Sequence, residues 1–232
     1  MNRFTYAVGD VHGRLDLLRS AFDRIAAHAG ARAYRVVTLG DYVDRGPESS
    51  GVIEFLMRRQ GDGLVCLKGN HEDMMLRALT GEDGALRLWL SNGGDETLRS
   101  YGARSDGDIR RAVPEGHVRW LSDLPLTTVD PHRIFVHAGL APGAPLSLQD
   151  ESTLLWIRGP FLRAPSEAFE AHIVHGHSPQ WDGKPDPAKP ELLDHRTNLD
   201  TGAWATGVLT VGVFDPSAPG GPTEVMSISS AS

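Results

Sequence analysis

Short apolar runs recur along this chain, and five of them stop where a polar cluster begins. RFTYAV (3–8) leads into GDVHG, YRVVTLG (34–40) into DYVDRG, GLVCLK (63–68) into GNHE, RIFV (133–136) into HAG and AHIV (171–174) into HGHS. Their length and β-branched content predict buried strands. Between the first two, Leu15, Leu18, Phe22, Ile25 and Ala29 recur at helical spacing before Gly30, which predicts an amphipathic helix with a glycine stop. A second helix is predicted after Pro47, with Val52, Ile53 and Leu56 on one side. Alternation of strand and helix implies parallel strands joined by crossovers, and the loops at their carboxyl ends then gather on one edge, where ligands bind.

Residues 76–126 break this rhythm and are read as a mainly helical insertion over the sheet edge, with LSNGG and the charged SDGDIRR inside it. The run SPQWDGKPDPAKP, from Ser178, holds four prolines, and the stretch 179–198 is read as a surface loop. GVLTVGVF reads as a last long strand, PSAPGGP as a turn and EVMSI as a short edge strand. The 232 residues, 40% hydrophobic, suffice for one large domain over 1–232.

Charge and cysteine usage narrow the partners. With 23 basic against 30 acidic residues the net charge is −7, which offers no broad attraction to a nucleic-acid backbone or an anionic membrane. Cys66 is the single cysteine, so no internal disulfide forms, and no run approaches the roughly 20 apolar residues of a membrane span. These features lead to the expectation of a cytoplasmic protein.

The polar clusters supply Asp10, His12, Asp41, Asn70, His137 and His177. Carboxylate, imidazole and amide oxygen, without thiolate, suit manganese, iron or zinc, and one carboxylate can bridge two ions that clamp a phosphoryl group. Arg45 and Arg158 offer planar donor forks for phosphate oxygens. His71, beside Asn70, can protonate a leaving alkoxide as general acid, oriented by Asp44, and Glu72 can brace the loop by hydrogen bonding. Met74 and Met75 read as core. His175 alternates away from His177 and reads as structural. His28, His117, His132, His172 and His195 receive no function, and Trp89, Trp120, Trp156, Trp181 and Trp204 read as packing, with Trp181 open to recognition.

GDVHG at 9–13, GDYVDRG at 40–46 and GNHE at 69–72 occur in this order. With GNHEDMM, LWLSNGG, DLPL, FVHAG, LLWIR, GHSP and LDTGA, they make the chain resemble the phosphoprotein-phosphatase family of metallophosphoesterases, especially its small bacteriophage and bacterial members. The resemblance implies an α/β fold of two mixed β-sheets packed as a sandwich with helices outside, and two divalent ions, Mn2+ foremost. It implies that Asp10 and His12 hold the first ion, that Asp41 bridges, and that Asn70, His137 and His177 hold the second. Arg45, Arg158 and Asn70 would contact the substrate, and His71 with Asp44 would form the acid pair. The implied activity is hydrolysis of phosphoserine or phosphothreonine in a protein or peptide, by ion-bound hydroxide attacking phosphorus in line. The alternative is a bis(5'-nucleosyl)-tetraphosphatase, whose pattern carries Ala-Arg where this chain has Asp44-Arg45, and GNHD where it has GNHE.

Overall fold

The computed structural model describes residues 3–61, 63–103, 108–180 and 187–230. The chain opens β1 (Phe4–Val8), α1 (Leu15–Ala29), β2 (Tyr34–Thr38), α2 (Ser49–Met57), β3 (Leu64–Cys66) and α3 (Asn70–Thr80). A helical segment follows, with α4 (Ala85–Trp89), a π turn over Leu90–Gly94, α5 (Asp95–Ser100), α6 (Ile109–Ala112) and α7 (Glu115–Ser122). Next come β4 (Thr127–Val129), β5 (Arg133–Val136), α8 (Glu151–Trp156), α9 (Gly159–Leu162), β6 (His172–His175), β7 (Glu191–Leu192) and β8 (Arg196–Asn198). The last elements are α10 (Ala203–Thr206), β9 (Val208–Phe214) and β10 (Glu224–Ser229).

The strands form two five-stranded sheets, ordered β10-β9-β1-β2-β3 and β4-β5-β6-β8-β7. Each has a parallel centre, β1-β2-β3 in the first and β5-β6-β8 in the second, with antiparallel strands at one or both edges. Side chains alternate across each strand, so each sheet buries two faces. Ala7, Val37, Leu39, Leu67 and Phe214 of the first sheet and its loops meet Phe135, Val174 and Leu199 of the second in one apolar layer between the sheets. On the outer face of the first sheet Tyr6, Val8, Leu209, Val211 and Val213 pack under the helices, and on that of the second Val136 and Ile173 pack under Leu154 and Phe161. The result is the helix-sheet-sheet-helix sandwich that the sequence resemblance implied.

The helix over 15–29 follows its periodicity, with Leu15, Leu18, Ile25 and Ala29 buried and Gly30 at its end with φ 57°. Met74 and Met75 are buried in the same core. Two segments differ from their sequence reading. Residues 76–80 are the last part of α3, and the helices beyond them are part of the main core: Trp89, Leu98, Val113, Trp120 and Leu121 join the cluster under α1 and α2. The stretch 179–198 is not all loop, because its back half supplies β7 and β8, while Trp181 and Pro185 lie outside the described residues. β8 is polar in sequence, yet Arg196, Thr197 and Asn198 are all buried. Partners replace apolar burial there: Arg196 pairs with Glu191, Thr197 Oγ1 meets His172 Nε2 at 2.9 Å, and Asn198 Nδ2 donates to the Ser178 carbonyl at 2.6 Å.

His175 is fully buried, its Nδ1 3.0 Å from the Gly176 carbonyl and its ring edge-on to Phe161. Burial, then Arg196, pushes its pKa down to about 3. The unfolded imidazole titrates near 6.5, so below that pH the unfolded chain binds a proton that the folded chain refuses, and stability falls as pH drops toward 3. His175→Gln is therefore expected to reduce the loss of unfolding free energy between pH 6.5 and 5 by about 2 kcal/mol, read from urea unfolding of the two proteins at both pH values.

Candidate active site

Parallel registry aligns the strand ends. Val8 pairs with Thr38 and Thr38 with Cys66, so the loops carrying Asp10, Asp41 and Asn70 leave the first sheet at one edge. Phe135, Val174 and Thr197 are aligned likewise, so the loops carrying His137, His177 and Asp200 leave the second sheet at the same end. The two edges touch where the His177 N–H donates to Asp10 Oδ2 at 3.0 Å and where His137 Nε2 lies 3.3 Å from Asp41 Oδ1.

Asp41 stands at the centre. Its Oδ2 is 3.5 Å from His12 Nε2 and 3.9 Å from His71 Nε2, while its Oδ1 faces His137. Ligand atoms of His12, Asp41 and His71, and separately of Asp41, His137 and His177, lie within 4.8 Å of one another, so one carboxylate serves both groups. Asn70 Oδ1 lies 2.9 Å from His137 Nε2 and 2.8 Å from His177 Nδ1. The structure thus draws Asp10, His12, Asp41, Asn70, His137 and His177 into one pocket, each no more than 3% exposed.

The donor set fits a pair of divalent ions. His12 Nδ1 donates to the Val43 carbonyl and His137 Nδ1 to the Leu39 carbonyl, both at 2.8 Å, which fixes each tautomer and turns the Nε2 lone pair inward. Burial holds the pKa values of His12, His137 and His177 below the usual imidazole value, keeping their lone pairs free. Burial alone would raise the pKa of Asp41, but His137, His71 and His12 hold it below the ordinary carboxylate range. Asp10 Oδ1 is buried without a hydrogen-bond partner, a costly arrangement for an oxygen unless a cation meets it.

Backbone strain marks the same place. Among the described residues, the non-glycine residues with positive φ are His12 (44°), Asp41 (51°), Asp44 (74°), Arg45 (69°) and His177 (65°). All five belong to the pocket, and such conformations persist only where the surroundings over-determine them. Glu72 is one such determinant. Its Oε2 accepts from the amides of Asp41 (2.8 Å) and Gly69 (2.9 Å), and its Oε1 from those of Tyr42 (2.7 Å) and Val43 (3.2 Å). Gly69 is required at this crossing, because a Cβ would lie 2.2 Å from Asp41 Oδ1. Glu72→Gln presents N–H groups to amides that need acceptors. It is expected to lower the unfolding free energy by about 2 kcal/mol and weaken divalent-ion binding about tenfold or more, checked by thermal unfolding and ion titration.

The structure also brings His71 and Asp44 together. His71 Nδ1 donates to Asp44 Oδ2 at 2.6 Å with both residues buried, which leaves Nε2 toward Asp41 and the pocket. Burial acts to lower the His71 pKa, but Asp41 and Asp44 outweigh it and raise it, favouring the protonated form that a general acid requires. Arg45 Nη1 lies 2.7 Å from His12 Nε2, and its guanidinium stands over the Trp204 ring at 5.5 Å. Arg158 sits just past α8, its Nη1 3.4 Å from Ser178 Oγ and close enough to depress the His177 pKa. Both arginines flank the pocket from opposite sheets.

Sequence reasoning missed three residues. The sequence reading gives Trp89 only packing and does not single out Thr97, yet the indole N–H of Trp89 and the hydroxyl of Thr97 both donate to the buried Asp44 carboxylate, at 2.9 and 2.7 Å. Asp200, in LDTGA, is buried beside Asp10, and burial pushes its pKa up to about 6. It lies two residues past the end of β8, a strand with no apolar pattern to point to the loop that follows it. Trp156 and Trp204 are 37% and 42% exposed, and Trp156 stands edge-on to His177, so these two are rim residues and not core packing.

This sandwich with a shared-carboxylate cluster at its strand ends defines a metal-dependent phosphoesterase. A family model described as calcineurin-like phosphoesterase matches residues 5–206, and the chain belongs to that family. Among curated proteins, it is 37% identical over 93 residues to serine/threonine-protein phosphatase 2 of Escherichia coli (strain K12), covering 40% of this chain and 39% of that one. It is 32% identical over 139 residues to the symmetrical bis(5'-nucleosyl)-tetraphosphatase of Aromatoleum aromaticum, covering 60% and 45% respectively. The matches thus span less than half the length of these relatives. A solved structure provisionally described as a diadenosine tetraphosphatase superposes with TM-score 0.68 at 23% identity, covering 98% of this chain and 94% of that one, which establishes the shared fold. None of the helices among the described residues is long and apolar enough to cross a membrane.

Proposed function

We propose that this metallophosphoesterase is a phosphomonoester hydrolase acting on phosphoserine and phosphothreonine in proteins or peptides, and that it works in the cytoplasm with Mn2+, Fe or Zn as its ions. The observation that carries the reading is the buried Asp44–His71 pair with its 2.6 Å hydrogen bond. An alkoxide leaving from serine or threonine is a strong base and needs a proton in the transition state, whereas a nucleoside diphosphate leaves as a weak base and does not. A buried carboxylate that favours the cationic form of an imidazole is therefore matched to an alkyl ester. The acidic chain, net charge −7, supports a protein partner over nucleic acid or an anionic membrane.

Two bound divalent ions would supply charge neutralisation for the phosphoryl oxygens and ionisation of a water near neutral pH. Asp10, His12, Asp41, Asn70, His137 and His177 would hold them. Arg45 and Arg158, reaching in from opposite sides, orient the phosphoryl group so that the scissile oxygen faces His71 Nε2. His71 then gives that oxygen its proton, and Asp44 stabilises the ring's charge beforehand and fixes its orientation.

The test compares a phosphoserine peptide with diadenosine tetraphosphate at equal enzyme in Mn2+, with and without chelator. Chelator-sensitive turnover with the higher kcat/KM on the peptide is the expected result. A higher kcat/KM on the dinucleotide would move the assignment to the tetraphosphatase reading.

A further inference from the structure

The Asp44 carboxylate is fully buried, and its only ion-pair partner among the described residues is His71. Its remaining capacity is filled from the helical segment between α3 and β4. The Trp89 indole N–H is shared between Oδ1 (2.9 Å) and Oδ2 (3.0 Å), and the Thr97 hydroxyl donates to Oδ1 at 2.7 Å. The Asp44 backbone N–H donates in turn to Thr97 Oγ1 at 2.8 Å, so both ends of residue 44 are tied to one side chain. Trp89 and Thr97 are themselves fully buried.

The segment is shaped to make this approach. The π turn over Leu90–Gly94 joins α4 to α5, which bring Trp89 and Thr97 together on the Asp44 carboxylate. Gly94 lies against the Trp89 ring, where a Cβ would come within 2.5 Å of it. Gly93, with φ 98°, accepts the Arg45 N–H on its carbonyl at 3.1 Å. The donors are neutral, and that matters chemically. A lysine or arginine at this position would take the carboxylate's charge for itself and weaken its hold on the imidazolium, whereas an indole and a hydroxyl orient the oxygens and leave the charge to His71. Burial pushes the Asp44 pKa upward, and the hydrogen bonds from His71, Thr97 and Trp89 act against that push.

We propose that Trp89 and Thr97 are positioning residues for the general acid, and that the helical segment 85–100 is thereby part of the proton-delivery apparatus. The proposal rests on the reading of His71 as the acid. Trp89 and Thr97 act through Asp44, so their effect follows the leaving group and not phosphate affinity or ion loading. Trp89→Phe keeps most of the ring and removes the N–H. Thr97→Val keeps the shape and removes the hydroxyl, and Thr97→Ser restores it.

The experiment measures kcat on a phosphoserine peptide and on 4-nitrophenyl phosphate for these three variants and His71→Asn, with bound metal counted by mass spectrometry. Trp89→Phe and Thr97→Val are expected to lose about tenfold on the peptide and less than about twofold on the aryl ester, with ion content unchanged and Thr97→Ser near wild type. Equal losses on both esters in Trp89→Phe and Thr97→Val, with His71→Asn still selective for the peptide, would overturn the positioning role alone. Equal losses in His71→Asn itself would overturn the acid reading and this proposal together. If Trp89→Phe does not fold, the contrast between Thr97→Val and Thr97→Ser decides the matter.

Discussion

Asp41→Asn is expected to reduce hydrolysis of every phosphate ester by about a thousandfold or more, and to reduce the bound ion count below two per chain. Both oxygens of Asp41 are in use: Oδ2 faces His12 at 3.5 Å and Oδ1 faces His137 at 3.3 Å. An amide is isosteric but has one acceptor atom and no charge, so it can serve one side of the pocket and not both. It would also leave two closely spaced cations without the anion between them, and that repulsion is large at short range in a buried site. The loss should be the same on alkyl and aryl esters, because neutralisation of the phosphoryl oxygens is needed whichever group leaves. Chelation of the wild-type protein should give the same uniform loss, reversed by adding Mn2+. Metal counting together with kcat on two esters tests both parts, and a variant that keeps two ions and full turnover would refute the shared-ligand reading.

His71→Asn should instead divide the substrates. General-acid catalysis contributes about a hundredfold to ten-thousandfold where the leaving group is a strong base, so kcat on a phosphoserine peptide is expected to fall by that order. On 4-nitrophenyl phosphate, whose leaving group departs as a stable anion, the fall should stay within about tenfold. The geometry supports this split. His71 Nδ1 is committed to Asp44 at 2.6 Å, and Nε2, 3.9 Å from Asp41 Oδ2, is the nitrogen free to deliver a proton into the pocket. The substitution would remove that proton and leave the cluster of His12, Asp41, Asn70, His137 and His177 in place. Ion content unchanged, with a slope of rate against leaving-group basicity steeper than wild type, is the combined result that checks it.

Neighbouring residues within one short motif also face different partners. Asn70 and His71 are adjacent in sequence at the start of α3, yet Asn70 points its oxygen to His137 and His177 while His71 points its ring to Asp44. Successive residues at a helix start project about 100° apart, and that turn sends the first toward the second sheet and the second toward α4 and α5. Glu72, the third residue, turns back to bind the amides of the Asp41 loop. One helical turn thus faces the His137–His177 pair, the Asp44 carboxylate and the amides of the Asp41 loop.

By itself the sequence determined the strands that end in polar loops, the helix over 15–29, the family resemblance and the residues of the pocket. These are local or motif-level properties: apolar runs of strand length, 3.6-residue periodicity, and side chains whose chemistry is evident from type. It did not determine that the two sheets stack with Ala7, Val37, Phe135 and Phe214 between them, a matter of long-range packing that the sequence resemblance implied but the strand pattern alone did not encode. Only the tertiary structure decided the remaining partnerships. β8 was hidden because Arg196, Thr197 and Asn198 are buried through polar pairing, which leaves no hydrophobic trace, and Asp200 was hidden with it. Trp89 and Thr97 were hidden for a related reason: a tryptophan and a threonine in an amphipathic helical segment have the same pattern whether their polar atoms face water or a carboxylate 45 or 53 residues away. Hydrophobic patterning reports which face is buried, whereas the identity of a hydrogen-bond partner across the fold is fixed only when the layers have packed.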